Sequence, residues 1–208
     1  MSGFPDSLPA QLYLLAYDPR RERMTARTQL GYLMRAAALT DLRLSGHVTD
    51  EGRKVQVVNQ GGVADQVLGA ILREVAESRP RSWTSWVRRG DRRTRLAVRE
   101  QLAVGGWIRV EPHRFLGIFP TSRITIRDPL VIQRLTDRLG AALRGPDADP
   151  RAAALVALAA AGELRTVLPR ARAREYKRRI AELTERTGPA VPALRRVIQQ
   201  ARSAAAGG

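Results

Sequence analysis

The sequence predicts a mainly α fold: amphipathic helices packed with one helix that is apolar on nearly every side, and one or two short β-hairpins. Three observations carry this expectation. Apolar residues recur every three to four positions in one segment after another. The run Ala152–Ala161 contains no charge at all. Short β-rich runs bounded by turn residues occur in two places. At 208 residues the chain suits a single domain, and its 44% hydrophobic content is enough to build a core. The domain is expected over residues 8–201, with flexible termini at 1–7 and 202–208.

Ser7-Leu8-Pro9 opens a short helix through Leu15, with Ser7 as its cap and proline in its first turn. Tyr17-Asp18-Pro19-Arg20 reads as a turn. From Thr28 to Leu44 the spacing of Leu30, Leu33, Met34, Ala37, Ala38 and Leu42 predicts a helix ended by Ser45-Gly46. Val48 starts an extended segment, Asp50–Lys54 is a polar turn and Val55–Val58 a strand, together a small hairpin. A helix follows over Val63–Ser78, stopped before Pro80, and then a short piece in which Trp83 and Trp86 share a helical face as structural residues.

Arg92–Val104 forms the next helix, closed by Gly105-Gly106. Trp107–Val110 and Phe115–Phe119 are two strands joined by a loop at Glu111–Arg114. Asp128-Pro129 begins a helix to Leu143, and Pro150–Leu168 is the central apolar helix. Ala171–Thr187 is a basic amphipathic helix, and Pro189–Ala201 a last short one.

The charge is extreme, +16, and every basic residue except Lys54 and Lys177 is arginine. Arginine's planar fork matches phosphate bidentately and keeps its charge when partly buried. A surplus of this size generates a field that attracts anions, even if part of it is compositional. Cysteine is absent, so there is no thiolate nucleophile and no cysteine metal site. His47 and His113 are far apart, each in a turn-like segment, which argues against a histidine catalytic or zinc centre. No phosphate-binding glycine loop, dinucleotide fingerprint or serine nucleophile elbow is present. No catalysis, cofactor or metal is expected. Met1–Pro9 lacks the pattern of a secretory leader, and no segment approaches the roughly 18 apolar residues of a membrane span. A cytoplasmic location follows.

Three arginines stand out beyond the general charge. Arg35 lies in an otherwise apolar helix beside three alanines; it either approaches a partner closely or lays its stem along the surface. Arg92 and Arg95 share one face at the start of a helix, where unpaired N–H groups and the helix dipole favour phosphate; the alternative is a solvated basic turn. The hairpin segment with His113, Arg114 and Phe115 is a candidate membrane-facing element. Its apolar residues on both faces of one strand are either buried or meet a membrane or a second subunit.

Taken in order, these segments resemble the Golgi phosphoprotein 3 family, including its bacterial, actinobacterial-type branch. The likeness runs over about residues 8–185 and rests on Leu14–Asp18, Arg35–Gly46, the helix Asp65–Val75, Trp86-Val87, Gly106-Trp107-Ile108, Phe115–Pro120, Arg127-Asp128-Pro129 and the alanine-rich helix. The resemblance implies a single domain with its central helix circled by amphipathic helices. It also implies a peripheral membrane adaptor that reads phosphatidylinositol 4-phosphate and holds membrane-protein clients at a cytoplasmic membrane face. The family's headgroup pocket uses a tryptophan, an arginine in the early helix and an Arg-x-x-Arg pair. These positions fall on Ala26, Arg35, and Arg92 with Arg95. Alanine at position 26 removes the aromatic platform, and the polar Glu111–Arg114 replaces the family's apolar hairpin tip. Electrostatic docking is therefore expected over insertion, at about 1 kcal/mol per arginine near an anionic bilayer. The runner-up is a winged-helix-like nucleic-acid binder using helix 92–104 and hairpin 107–119. A homo-oligomer is a further expectation.

Overall fold

The computed structural model describes residues 4–115 and 119–207. Ten helices and seven short strands are distinguished among them. Helix α1 (Leu8–Leu15) is buried along its whole length. Ser7 does not cap it through its side chain; the free N–H of Leu8 instead donates to Asp41 Oδ2 at 2.8 Å. A tiny hairpin follows, β1 (Tyr17–Asp18) paired antiparallel with β2 (Arg23–Met24), so the expected turn at 17–20 is part of a larger reversal. The chain returns against α1 because Thr25 donates to the Ala16 carbonyl from both its N–H and its hydroxyl.

Helix α2 (Leu30–Leu44) is buried from Leu30 to Leu42 except at Tyr32, and Gly46, at φ +74°, ends it as a left-handed glycine should. Strands β3 (Val48–Glu51) and β4 (Lys54–Val57) form the expected hairpin. A third strand, β5 (Arg81–Ser82), joins β4 after helix α3 (Gln66–Ala76). Asp65 caps α3 by accepting from the Leu68 N–H, which is why the helix starts later than the apolar spacing suggests.

Helix α4 (Trp83–Arg88) buries both of its tryptophans; Trp83 Nε1 donates to Asp50 at 2.8 Å. Helix α5 (Asp91–Val104) follows a left-handed turn at Gly90, with φ +67°.

Strands β6 (Ile108–Phe115) and β7 (Phe119–Ile126) correct the expected hairpin. Glu111–Arg114 is strand, not loop: Glu111 faces Arg123, Pro112 faces Ser122 and Phe115 faces Phe119. Pro112 is tolerated because each strand of a two-stranded ribbon has an open edge where a missing N–H costs nothing. The side chains of His113, Arg114 and Phe115, named above as membrane-facing, and residues 116–118 lie outside what is described.

Helix α6 (Leu130–Arg144) packs on α7 (Pro150–Ala161). Asp149 caps α7, and Gly162 and Glu163 end it seven residues before the expected Leu168, with Glu163 at φ +51°. The basic helix expected at 171–187 is broken at Tyr176 into α8 (Arg170–Glu175) and α9 (Lys177–Thr187). Helix α10 (Ala190–Ala206) runs beyond the expected end at Ala201, so most of the C-terminal tail is helical. At the other end Ser7 is buried, and Phe4 packs on the core under the guanidinium of Arg138.

The core is one continuous cluster built on α1, α2 and α7, with the other helices around it. Three helices share the centre where one was expected. Asp41 ties their ends together: it is 1% exposed, accepts from Leu8 and is met by both terminal guanidinium nitrogens of Arg151, at 2.8 and 3.0 Å.

Candidate functional site

Close packing of α2 against α5 sets the geometry of the site. At Gly31 a Cβ would lie 2.8 Å from the Asp91 carbonyl oxygen, so the absence of a side chain lets α2 lie against the first turn of α5. That contact brings Arg35, one helical turn on, beneath the same end of α5.

Arg35 is 1% exposed. Its Nε donates to the Trp86 carbonyl at 3.1 Å, one terminal nitrogen reaches Thr94 Oγ1 at 3.5 Å, and the other binds Glu74 Oε2 at 2.7 Å. The guanidinium also lies over the Trp86 ring, 5.6 Å from its centre. Burial lowers the arginine's pKa, and the facing Glu74 carboxylate opposes that shift. The second oxygen of Glu74 binds Arg89 Nε at 2.9 Å. Arg35 thus joins α2, α3, α4 and α5 at one point, with its charge answered from within. An outside phosphate would have to displace Glu74 to reach it.

The expected arginines are therefore not equivalent. Arg35 lies under α5, near the pair, but is enclosed. Arg92 is exposed on the first turn of α5, and Arg95 is half-buried on the next. Arg95 opens into a cavity of about 800 Å3. One wall is α5, contributing Arg95, Leu96 and Arg99; the two arginines are four apart and share a face. The other wall comes from the β1–β2 reversal and the approach to α2, with Arg21, Arg23 and Arg27, and from β7, with Arg123. Tyr13, Met24 and Leu30 form an apolar base.

Six arginines and one glutamate face this space, an excess of five positive charges. Glu22, at the hairpin tip with φ +47°, pairs with Arg123 and so links the reversal to β7. Arg21 leans on Asp18 at 3.9 Å. Arg23, Arg27, Arg95 and Arg99 form no ion pair among the described residues. Tyr13 shows the field they create from the other side: burial pushes its pKa up to about 12, while Arg99 and Arg95 pull it down. The phenol stays neutral and supplies no counter-charge.

Such a space attracts anions that present several acceptor oxygens, and its concave form suits a compact ligand. Arg21, Arg23, Arg27, Arg99 and Arg123 were not among the expected site residues. Arg99 was detectable, one turn beyond Arg95 on the same face. Ala26, between Arg23 and Arg27 in the chain, has φ +51°. Among the described residues there is no cluster of three or more metal-binding side chains, and no helix is long and apolar enough to cross a membrane.

A family model described as Golgi phosphoprotein 3 (GPP34) covers residues 8–201. No curated protein matches the chain.

Proposed function

The chain belongs to the Golgi phosphoprotein 3 family, and on that footing we propose that it is a peripheral membrane adaptor. It binds an anionic phosphoinositide headgroup, of the phosphatidylinositol 4-phosphate kind, at a cytoplasmic membrane face, and carries out no catalysis. The observation that carries this reading is the arginine-lined cavity into which Arg95 opens. Arg95 and Arg99 hold the phosphate there, and Arg92 attracts it from the exposed first turn of α5. Arg35 belongs to the site as a positioning residue, tying α5 through Thr94 to α4 through the Trp86 carbonyl.

Two features favour a small anion over a duplex. Arg95 and Arg99 face an opposing wall and do not stand clear on a bare helix, as a groove-reading helix requires. The apolar base of Tyr13, Met24 and Leu30 suits a sugar ring better than a phosphate backbone. The test is liposome co-sedimentation at near-physiological salt. Neutral, phosphatidylinositol and phosphatidylinositol 4-phosphate vesicles are compared, with duplex DNA as competitor. An Arg92→Ala/Arg95→Ala/Arg99→Ala variant runs beside the wild type. Headgroup-dependent binding that the variant loses supports the reading. Binding that follows total anionic charge, survives the substitutions and is erased by DNA overturns it in favour of a nucleic-acid binder.

A further inference from the structure

We infer that the cavity is built for an anion carrying at least two phosphomonoester groups, one on each wall: an inositol polyphosphate, free or as a lipid headgroup. The inference rests on the reading of this cavity as an anion site and adds the class of ligand that fills it.

The four arginines without an ion pair divide evenly between the walls. Arg95 and Arg99 stand on α5, Arg23 on β2 and Arg27 on the segment between β2 and α2. Two guanidinium groups can satisfy the acceptor oxygens of one monoester. A headgroup with a single monoester, bound on α5, leaves Arg23 and Arg27 facing the same void with no counter-charge. Its phosphodiester and monoester together carry about −3 at neutral pH, against an excess of five positive charges in the lining. A second monoester brings the ligand close to −5 and gives the other wall a partner. The volume agrees, since about 800 Å3 falls in the upper part of the range for small-molecule sites. The base of the cavity cannot supply the missing charge, because burial keeps Tyr13 neutral.

Arg23 and Arg27 are both exposed, with no ion-pair partner among the described residues whose loss would disturb the fold. That makes an Arg23→Ala/Arg27→Ala variant a clean probe of the second wall, and it should melt no lower than the wild type. Calorimetric titration of the full chain at fixed salt would compare inositol 1-phosphate, inositol 1,4-bisphosphate and inositol 1,4,5-trisphosphate. Vesicles with phosphatidylinositol 4-phosphate or phosphatidylinositol 4,5-bisphosphate, matched in total surface charge, form a second arm. The expected result is at least about tenfold tighter binding of two monoesters than of one, as a further charge-assisted contact implies. In the double variant that ratio collapses toward one. Tight binding of the free compounds with no vesicle preference identifies a soluble ligand, and preference in both arms identifies a lipid.

Equal affinity for one and two monoesters, or a ratio that survives the double substitution, overturns the inference. If one and two monoesters bind equally and Arg95→Ala/Arg99→Ala abolishes both, the anion site stands and only the two-wall assignment falls. If no phosphate compound binds in either arm, both readings fall together.

Discussion

Replacing Arg35 by methionine separates a residue that touches the ligand from one that holds the site in place. The substitution keeps an unbranched apolar stem in place of the arginine's and removes its hydrogen bonds to the Trp86 carbonyl, Thr94 and Glu74. Removing one member of a buried pair costs about 3–5 kcal/mol, mostly because the partner charge stays behind unanswered. Here the partner is not stranded: Glu74 is 27% exposed and keeps Arg89. The lower end of the range therefore applies, about 3 kcal/mol. For a domain of this size that is a fall of roughly 6–12 °C in melting temperature. Differential scanning calorimetry of Arg35→Met, Glu74→Leu and the double variant would also yield the coupling between the two residues, expected to exceed about 1 kcal/mol. Below the melting transition, Arg35→Met should still bind anions, because Arg35 does not line the cavity. A variant of unchanged melting temperature that no longer binds would refute the reasoning and make Arg35 a direct ligand contact.

Trp86 is fully enclosed and gives its ring to Arg35, so Trp86→Ala should cost about 3–5 kcal/mol by chemical denaturation. Trp83→Ala should cost a similar amount and also remove the hydrogen bond to Asp50, whose exposed carboxylate then turns to water. Gly31→Ala drives a methyl group into the Asp91 carbonyl and should cost about 1–3 kcal/mol while weakening anion binding by moving α5; an unaffected variant would mean that the two helices separate freely. Hydrogen bonding from Arg202 holds the Glu163 pKa below the usual carboxylate value. Its stabilising contribution is therefore complete above that usual value and is lost as pH falls through the lowered one. In acid titrations followed by circular dichroism, Glu163→Gln should differ most from the wild type near neutral pH, the two curves converging in acid.

Much of the helical framework was legible because a buried face writes itself as a period of three to four residues. Leu30 through Leu42 and Val67 through Val75 show this clearly. The failures have local causes. Pro112 looks like a turn former, yet an edge position removes its penalty, and the alternation Thr121 to Ile126 that pairs back was passed over. Helix α7 stops at Gly162 although apolar residues continue through Leu168, because hydrophobicity reports burial and not backbone form. Arg95 was visible because it shares a helical face with Arg92. Arg23 and Arg27 were not, since they lie in a stretch without periodicity. Their place opposite α5 is set by Thr25 bonding back to Ala16, a contact between residues whose types give no hint of it.

Crowding six arginines around one void has a cost while the void holds only solvent and small ions. Mutual repulsion strains the reversal between α1 and α2 and the return strand against it, and any multivalent anion that enters relieves the strain. Whatever binds the folded chain alone also stabilises it, by a margin that grows with concentration over the dissociation constant. On the proposed reading, occupancy and lifetime are coupled: a chain that holds an anion opens less often than an empty one, and proteases that cut transiently opened molecules find the empty copies first.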